Sequence, residues 1–205
     1  MLELGCGSGA LTWHLLAAGF QVIATDASPD MLALARASLG SGADLRRLTL
    51  PEDPLPAADA VVSVGHVISY VPDAAAVDRA LVAMADGPAD GLRPGGVLAI
   101  DVLDLAFGQI DPGRESSGRV APDWAVITQY SRPAPDRFVR EATTFVADGT
   151  GAWRRDHERH ENVLVDTSRI PPLLGEHGVD AVVGPAFGEA ELPPGLVAVT
   201  GRKSR

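Results

Sequence analysis

The stretch LELGCGSG, residues 2–9, joins a short apolar strand to a loop with a glycine at every second position. Apolar residues then recur at helical spacing from 11 to 18, so the loop connects a strand to a helix. Glycines allow a ligand to approach the backbone, and the N–H groups at the start of the helix favour an anionic group. Because Gly5, Gly7 and Ala10 also match the G-x-G-x-x-G/A dinucleotide fingerprint, glycine spacing alone does not identify the ligand.

The same alternation of strand and helix continues through the first half of the chain. We predict strands over 1–4, 21–25, 45–50, 59–64 and 97–103. Ser28 is the expected N-cap of the second helix, with Pro29 at its first position, and Asp73 is the expected cap of the third. Strands that alternate with helices form a parallel sheet covered on both faces. The sequence therefore predicts an α/β fold with a Rossmann-like, doubly wound sheet.

The pattern changes after residue 103. Segments 124–130, 137–147 and 152–165 have the composition of strands, and turn signals lie between them at 133–136 and 148–151. We predict that an antiparallel β-meander is inserted over 104–165. After it, Thr167 or Ser168 is expected to cap a short helix, and strands are expected over 179–183 and 196–201.

Composition limits the class of protein. With 205 residues, 46% of them hydrophobic, the chain is long enough for one substantial core and short for two domains. A net charge of −10 argues against a nucleic-acid partner, which clustered Lys and Arg would bind. No apolar run reaches the roughly 20 residues of a spanning helix, and the start lacks the pattern of a secretory signal, so we expect a cytoplasmic protein without a membrane partner. Cys6, the single cysteine, allows neither an internal disulfide nor a cysteine-based zinc site.

Two acidic residues near the loop bear on the choice of ligand. In a doubly wound sheet the ligand lies outside the carboxyl ends of the strands, where the strand order reverses. Asp26 ends the second predicted strand and can accept both hydroxyls of a ribose, which NAD and S-adenosylmethionine share. Glu3 lies two residues before Gly5, where its carboxylate would repel a pyrophosphate and attract a cationic amino acid group. Glu3 thus favours S-adenosylmethionine over a dinucleotide.

Three further stretches follow in order: DASPDML at 26–32, LPAADAVV at 55–62 and LRPGGVL at 92–98. With ELGCGSG at 3–9, they make the chain resemble the class I S-adenosylmethionine-dependent methyltransferases, of the small-molecule type with an antiparallel insertion. The resemblance implies a seven-stranded sheet whose last strand is antiparallel, and transfer of a methyl group from S-adenosylmethionine to N, O or C of a small molecule. A cofactor-binding domain without turnover and an NAD(P)-dependent oxidoreductase remain alternatives.

The resemblance also implies a domain organisation and a cofactor site. It predicts one methyltransferase domain over 1–205, with a cofactor-binding half at 1–103, the insertion at 104–165 and a closing helix and strands at 166–205. The implied cofactor-binding residues are Glu3, Leu4, Gly5, Cys6, Gly7, Asp26, Ala27, Met31, Thr49, Leu50 and Gly65. Thr49 and Leu50 stand where many members carry an aspartate that meets the adenine amino group, so backbone groups are expected to serve there. Many members also have helices before the first strand, and we expect this chain to be an N-terminally truncated member.

Candidate catalytic and acceptor-binding residues follow the fourth strand or lie in the insertion. His66 is the best-placed general base, needed only if the acceptor atom is protonated; the alternative is a loop histidine bonded to backbone. Tyr70, Trp124 and Glu161 are the candidates for contact with the acceptor, and Tyr70 can equally anchor the helix that follows it.

Two other groups of residues are given structural interpretations. His157 and His160 alternate to opposite faces of a strand, so we expect an exposed polar strand there and no metal site. No histidine is near Cys6 in sequence to activate it, so we expect this cysteine to pack beside the cofactor rather than act as a nucleophile.

Overall fold

The computed structural model describes residues 1–86, 91–109 and 115–205. Its first half consists of β1 (Leu2–Leu4), α1 (Ala10–Ala17), β2 (Ile23–Asp26), α2 (Pro29–Leu39), β3 (Asp44–Arg47), β4 (Ala58–Ser63), a 3₁₀ turn (Val67–Tyr70), α3 (Ala74–Asp86) and β5 (Leu92–Leu103). Its second half consists of β6 (Ser116–Val120), β7 (Trp124–Ala134), β8 (Arg137–Ala147), β9 (Trp153–Val163), a 3₁₀ turn (Thr167–Arg169), α4 (Ile170–Glu176), β10 (Val179–Gly184), β11 (Ala186–Phe187), β12 (Ala190–Glu191) and β13 (Leu196–Lys203).

Seven strands form the central sheet, in the order β10-β13-β5-β4-β1-β2-β3. The first five strands run parallel to one another, whereas β13 is antiparallel to both β5 and β10. The chain extends the sheet from β1 through β2 to β3 and then returns to the other side of β1 with β4. The predicted fold class is confirmed, and the reversal of strand order places a crevice at the carboxyl ends of β1 and β4.

The core lies between the central sheet and the helices, as the apolar pattern predicts. All three residues of β1 are buried. On α3, the face with Val77, Leu81 and Met84 is buried, and Asp73 caps the helix by accepting a hydrogen bond of 2.7 Å from the N–H of Ala76. Each large aliphatic side chain that is removed from water contributes about 1.5–3 kcal/mol, so this face is enough to hold the helix against the sheet.

A second sheet is built entirely from the insertion, with four antiparallel strands in the order β6-β7-β8-β9. Side chains alternate between its two faces. We define the inner face as the one that carries Phe138, which packs with Leu103 of β5 and with Leu164. Register places Arg140 between Tyr130 and His160 on this face, and Asn162 opposite Phe138. The inner face is therefore the one turned towards the central sheet.

Three expectations about local structure need correction. The insertion has four strands rather than three, because β6 was not recognised in the sequence. Asp166, and not Thr167 or Ser168, caps the 3₁₀ turn before α4, since its carboxylate accepts the N–H of Ser168. The fifth strand was predicted over 97–103 but begins at Leu92, so the LRPGG stretch belongs to β5, opposite a register shift between Ala58 and Ala60. Within the described ranges, no helix is long and apolar enough to cross a membrane.

Candidate functional site

A cavity of about 450 Å³ opens at the carboxyl ends of β1 and β2, on the side where the strand order reverses. This volume falls in the range of about 300–1,000 Å³ that small-molecule and cofactor sites occupy. Its lining includes nine of the residues singled out in the sequence: Leu4, Gly5, Gly7, Asp26, Ala27, Met31, Thr49, Leu50 and Tyr70. It also includes six that were not predicted to bind cofactor or acceptor: Thr25, Ser28, Leu48, Val67, Val71 and His160. Asp26 is the one acidic side chain among these lining residues, which include no Lys or Arg.

Asp26 is held at the mouth of the cavity by the backbone around it. Its Oδ2 accepts the N–H of Gly7 at 2.9 Å, and its Oδ1 accepts the N–H of Ser28 at 2.9 Å. Each carboxylate oxygen has a further lone pair free for a ligand donor. Ser28 also caps α2 by accepting the N–H of Met31 at 3.3 Å, as predicted. The end of β2 therefore presents a fixed carboxylate to two adjacent hydroxyl groups of a ligand.

Gly5 and Gly7 of the loop are glycines for different structural reasons. Gly5 has φ +70°, and a Cβ added there would lie 2.3 Å from the side chain of Val67 in the turn after β4. Gly5 thus allows two loops of the site to touch. Gly7 has φ +54° but no atom within 4 Å of an added Cβ, so it keeps the cavity wall open where its N–H binds Asp26. A side chain is strained in this backbone region at either position.

Glu3 and Cys6 lie beneath the loop and are not lining residues of the cavity. Glu3 is 2% exposed, and its Oε2 accepts the hydroxyl of Thr12 on α1 at 2.7 Å. Burial raises the pKa of Glu3, with the Thr12 hydrogen bond acting in the opposite direction. The expectation that this carboxylate points into the ligand site is therefore not what the structure shows. Burial, with the charges of Glu3 and Asp26, raises the pKa of Cys6 to about 12, so the thiol stays protonated.

Gly65 and His66 are fixed by a buried acid that the sequence analysis did not assign to the site. Asp101 of β5 is 1% exposed, and its two oxygens accept the N–H groups of Gly65 at 2.9 Å and His66 at 2.7 Å. His66 has φ +51° and stacks on Tyr70 with 5.6 Å between ring centroids. Burial is the main cause that lowers the pKa of His66. Neither Gly65 nor His66 is a lining residue of the cavity, but Tyr70 is.

The inserted sheet contributes His160 to the cavity wall. The His160 ring meets Tyr70 edge to face at 6.0 Å, and its Nε2 lies 3.2 Å from Oε2 of Glu158. The expectation of a wholly exposed polar strand is therefore wrong at His160. His157, which points to the other face as predicted, pairs with the hydroxyl of Thr143.

Two of the residues predicted to contact the acceptor lie away from the cavity, and one predicted cofactor-binding residue lines it with its N–H already engaged. Glu161 is on the opposite face of the inserted sheet from His160 and accepts a hydrogen bond of 2.7 Å from Arg159. Trp124 shares the inner face with Tyr130 but lies six residues away along β7, which is about 20 Å in an extended strand. Thr49 lines the cavity, but its N–H is taken by the carboxylate of Asp53 at 2.8 Å.

A strand-loop-helix crevice with an acidic residue at the end of β2 defines a nucleoside-binding Rossmann-like protein. Comparison with known families is consistent with this class, since a family model described as "Methyltransferase domain" matches residues 2–98. A ubiquinone biosynthesis O-methyltransferase of Xylella fastidiosa is 32% identical over 180 residues, which cover 83% of this chain and 70% of the relative. The chain belongs to the class I S-adenosylmethionine-dependent methyltransferase family.

Other relatives and solved structures support this fold. A ubiquinone biosynthesis O-methyltransferase of Xanthomonas axonopodis pv. citri is 31% identical over 130 residues, which are 60% of this chain and 52% of that protein. The chain thus spans about half the length of this curated relative. A methyltransferase from Clostridium acetobutylicum superposes with a TM-score of 0.83 at 18% identity, over 100% of this chain and 83% of the other. The sugar N-methyltransferase KedS8 from Streptoalloteichus has a TM-score of 0.78 at 24% identity, over 100% and 79%.

Proposed function

We propose that the chain binds S-adenosylmethionine in the 450 Å³ cavity and transfers its methyl group to a small-molecule acceptor. The observation that carries the proposal is the carboxylate of Asp26, fixed at the end of β2 by the N–H groups of Gly7 and Ser28. A ribose diol needs two adjacent acceptors of this kind. The absence of Lys and Arg from the described lining residues supports a sulfonium cofactor over a pyrophosphate.

The lining residues fit the parts of this cofactor. Asp26 would hold the ribose hydroxyls, the apolar side chains of Met31, Leu48 and Leu50 would enclose the adenine, and the loop at Gly5 and Gly7 would lie along the amino acid part. When bound, S-adenosylmethionine would supply a sulfonium methyl group, whose carbon an acceptor lone pair would attack in line, with the thioether S-adenosylhomocysteine as the leaving group. The remaining contribution of this chain is to orient the acceptor and to exclude water around it.

His66 is proposed as the general base for an acceptor that carries a proton. Its lowered pKa keeps the imidazole neutral at pH 7, so one ring nitrogen can accept a proton. Its stacking on Tyr70, a lining residue, places it beside the cavity rather than in its wall. His160 lies in the wall itself, so replacing each histidine by glutamine and comparing the pH dependence of methyl transfer distinguishes their roles. Loss of the acidic limb of the profile in H66Q supports His66; its retention there assigns the base elsewhere.

The acceptor is proposed to be a small molecule. The net charge of −10 supports this choice over a nucleic acid, and a cytoplasmic location remains a prediction. The names of the similar proteins include an O-methyltransferase and a sugar N-methyltransferase, so the acceptor atom is left open between oxygen and nitrogen.

Calorimetric binding tests the cofactor assignment. We expect S-adenosylhomocysteine to bind with micromolar affinity and NADH to give no heat of binding. Asp26→Asn replaces one acceptor oxygen by an NH₂ group and is expected to weaken the binding of S-adenosylhomocysteine about tenfold or more, because a charge-assisted hydrogen bond contributes about 1.5–3 kcal/mol. Asp30→Asn, on the exposed first turn of α2, is the matched control and should bind normally. Binding of NADH without S-adenosylhomocysteine would overturn the proposal.

A further inference from the structure

Arg140 lies beside the cavity, and no anionic partner for it is found within residues 1–86, 91–109 and 115–205. It is directly opposite His160 in the register of β8 and β9, and His160 is a lining residue. Directly opposite residues of an antiparallel pair have Cα atoms about 4.5–5.5 Å apart, so the two side chains leave the inner face next to each other. Among the described residues, no carboxylate lies within ion-pair distance of the half-buried Arg140. Removing a guanidinium from water without a partner costs free energy.

The acidic side chain nearest in register does not neutralise Arg140. Glu158 is a diagonal neighbour of Arg140 on the inner face, but its Oε2 engages the imidazole of His160 at 3.2 Å. On the other side, Tyr130 is opposite Arg140, and its hydroxyl is paired with Ser117 at 3.1 Å. The positive charge of Arg140 extends to His66, where it contributes to the lowered pKa of that imidazole. Arg140 therefore acts electrostatically on the acceptor side of the site.

A second donor on the inner face has no partner in the part of the chain that the structure describes. Asn162 is the next inward-facing residue of β9 after His160 and is 3% exposed, and its Nδ2 has no hydrogen-bond acceptor. Buried polar groups are nearly always hydrogen-bonded, so an orphaned amide next to an unpaired guanidinium needs an explanation. An anionic group at Arg140, or water that such a group orders, supplies the missing acceptor.

We infer that the methyl acceptor carries an oxyanion, a carboxylate or a phosphate, which binds to Arg140 beside His160. The inference rests on the proposed methyltransferase function, and it specifies the acceptor side of that same site. The guanidinium offers a planar pair of donors to such a group. The ring of Tyr70, a lining residue that stacks on His66 and meets His160 edge to face, offers an aromatic contact for the body of the acceptor.

The test uses three probes on protein saturated with S-adenosylhomocysteine: benzoate, phenyl phosphate and the uncharged benzamide. Affinities are measured by calorimetry at 0.15 M salt for the wild type, Arg140→Gln and Arg155→Gln. Arg155 lies on the outer face of β9, so Arg155→Gln removes the same charge as Arg140→Gln at a position away from the site. We expect at least one anion to bind about tenfold more tightly than benzamide in the wild type and in R155Q, and this preference to disappear in R140Q. The anion that is preferred identifies the group as carboxylate or phosphate.

Equal affinity of the three probes in the wild type, or a preference that survives in R140Q, overturns the inference. The affinity of S-adenosylhomocysteine for each protein is measured first. Its retention in all three proteins, whatever the probes do, leaves the cofactor assignment standing, whereas its absence in the wild type rejects the proposed function itself. The two failures are therefore distinguishable.

Discussion

The buried carboxylate of Asp101 on β5 accepts a hydrogen bond of 2.7 Å from the backbone N–H of His66. Its other oxygen accepts the N–H of Gly65, so one side chain from the centre of the sheet satisfies two consecutive donors of the loop after β4. This pairing allows His66 to keep a positive φ next to the cavity. The strand that carries the acid thereby fixes the loop that carries the candidate base.

Replacing Asp101 by asparagine is expected to destabilise the fold by about 1–3 kcal/mol, because one N–H of the loop then faces an amide NH₂ group in a buried site. Urea unfolding measures the loss. Asp59→Asn is the control, since Asp59 pairs with Arg93 at the surface and exposed pairs contribute little. Equal losses of unfolding free energy in the two variants would show that the two loop hydrogen bonds contribute no more to stability than an exposed ion pair.

Gly5→Ala is expected to cost about 2–4 kcal/mol, because the new methyl combines left-handed backbone strain with a clash against Val67. Gly7→Ala keeps the strain without the clash and is expected to cost less. In urea unfolding, Gly5→Ala combined with Val67→Ala should be less destabilised than the sum of the two single changes. Additive losses would contradict contact between the two loops.

The raised pKa of Glu3 has a consequence for pH dependence. A carboxyl group whose pKa is higher in the folded than in the unfolded state binds more protons when the protein is folded. It therefore stabilises the fold at pH values below its unfolded-state pKa. This contribution is lost as the pH rises through its folded-state pKa. Glu3→Gln, which can still accept from Thr12, should therefore have a higher melting temperature than the wild type at pH 7, with the difference shrinking towards pH 4. Exposed Glu52→Gln should show no such trend. A difference in melting temperature that does not change with pH would contradict the raised pKa of Glu3.

Asn162→Leu is expected to stabilise the protein by about 1 kcal/mol or more, because it removes an amide whose Nδ2 is buried without an acceptor. Asn162→Asp should be less destabilising in the wild type than in an R140Q background, since Arg140 is a diagonal neighbour that can pair with the new carboxylate. Thermal and urea unfolding of the two variants give the comparison. A loss of stability in Asn162→Leu would mean that the amide makes a contribution that the leucine does not replace.

The first half of the fold was predictable because its signals are local. Ser28, Pro29 and Asp73 mark helix starts by backbone chemistry that needs no tertiary context, and they occupy the expected positions. Strand β6 was missed because Ser116–Val120 is exposed at all five positions and contains a glycine, so only its pairing with β7 makes it a strand. Its existence is decided by tertiary contacts rather than by propensity.

The position of Asp26 was predictable from the central sheet, whereas the contribution of the second sheet to the cavity was not. Asp26 ends β2, and the carboxyl end of a parallel strand is enough to place it at the crevice. His160 and Glu161 are adjacent in sequence, and alternation shows only that they point to opposite faces. Which face meets the cavity is set by the packing of Phe138 on Leu103, a contact between distant segments. An acidic residue within the apolar strand β5 was the one sequence feature that could have indicated the role of Asp101 in fixing the loop after β4.

The cavity wall is assembled from two sheets, with Asp26 and the glycine loop on one and His160 on the other. Under the proposed assignment, the residues that bind the cofactor and those of the inserted sheet that meet the acceptor are encoded in separate stretches of the gene. Sequence drift in β7, β8 and β9 can then produce enzymes for new acceptors while the inherited cofactor machinery stays intact. Diversification of this lineage is expected to follow the inserted sheet, and exchange of that sheet between relatives is a practical route to new acceptor specificity.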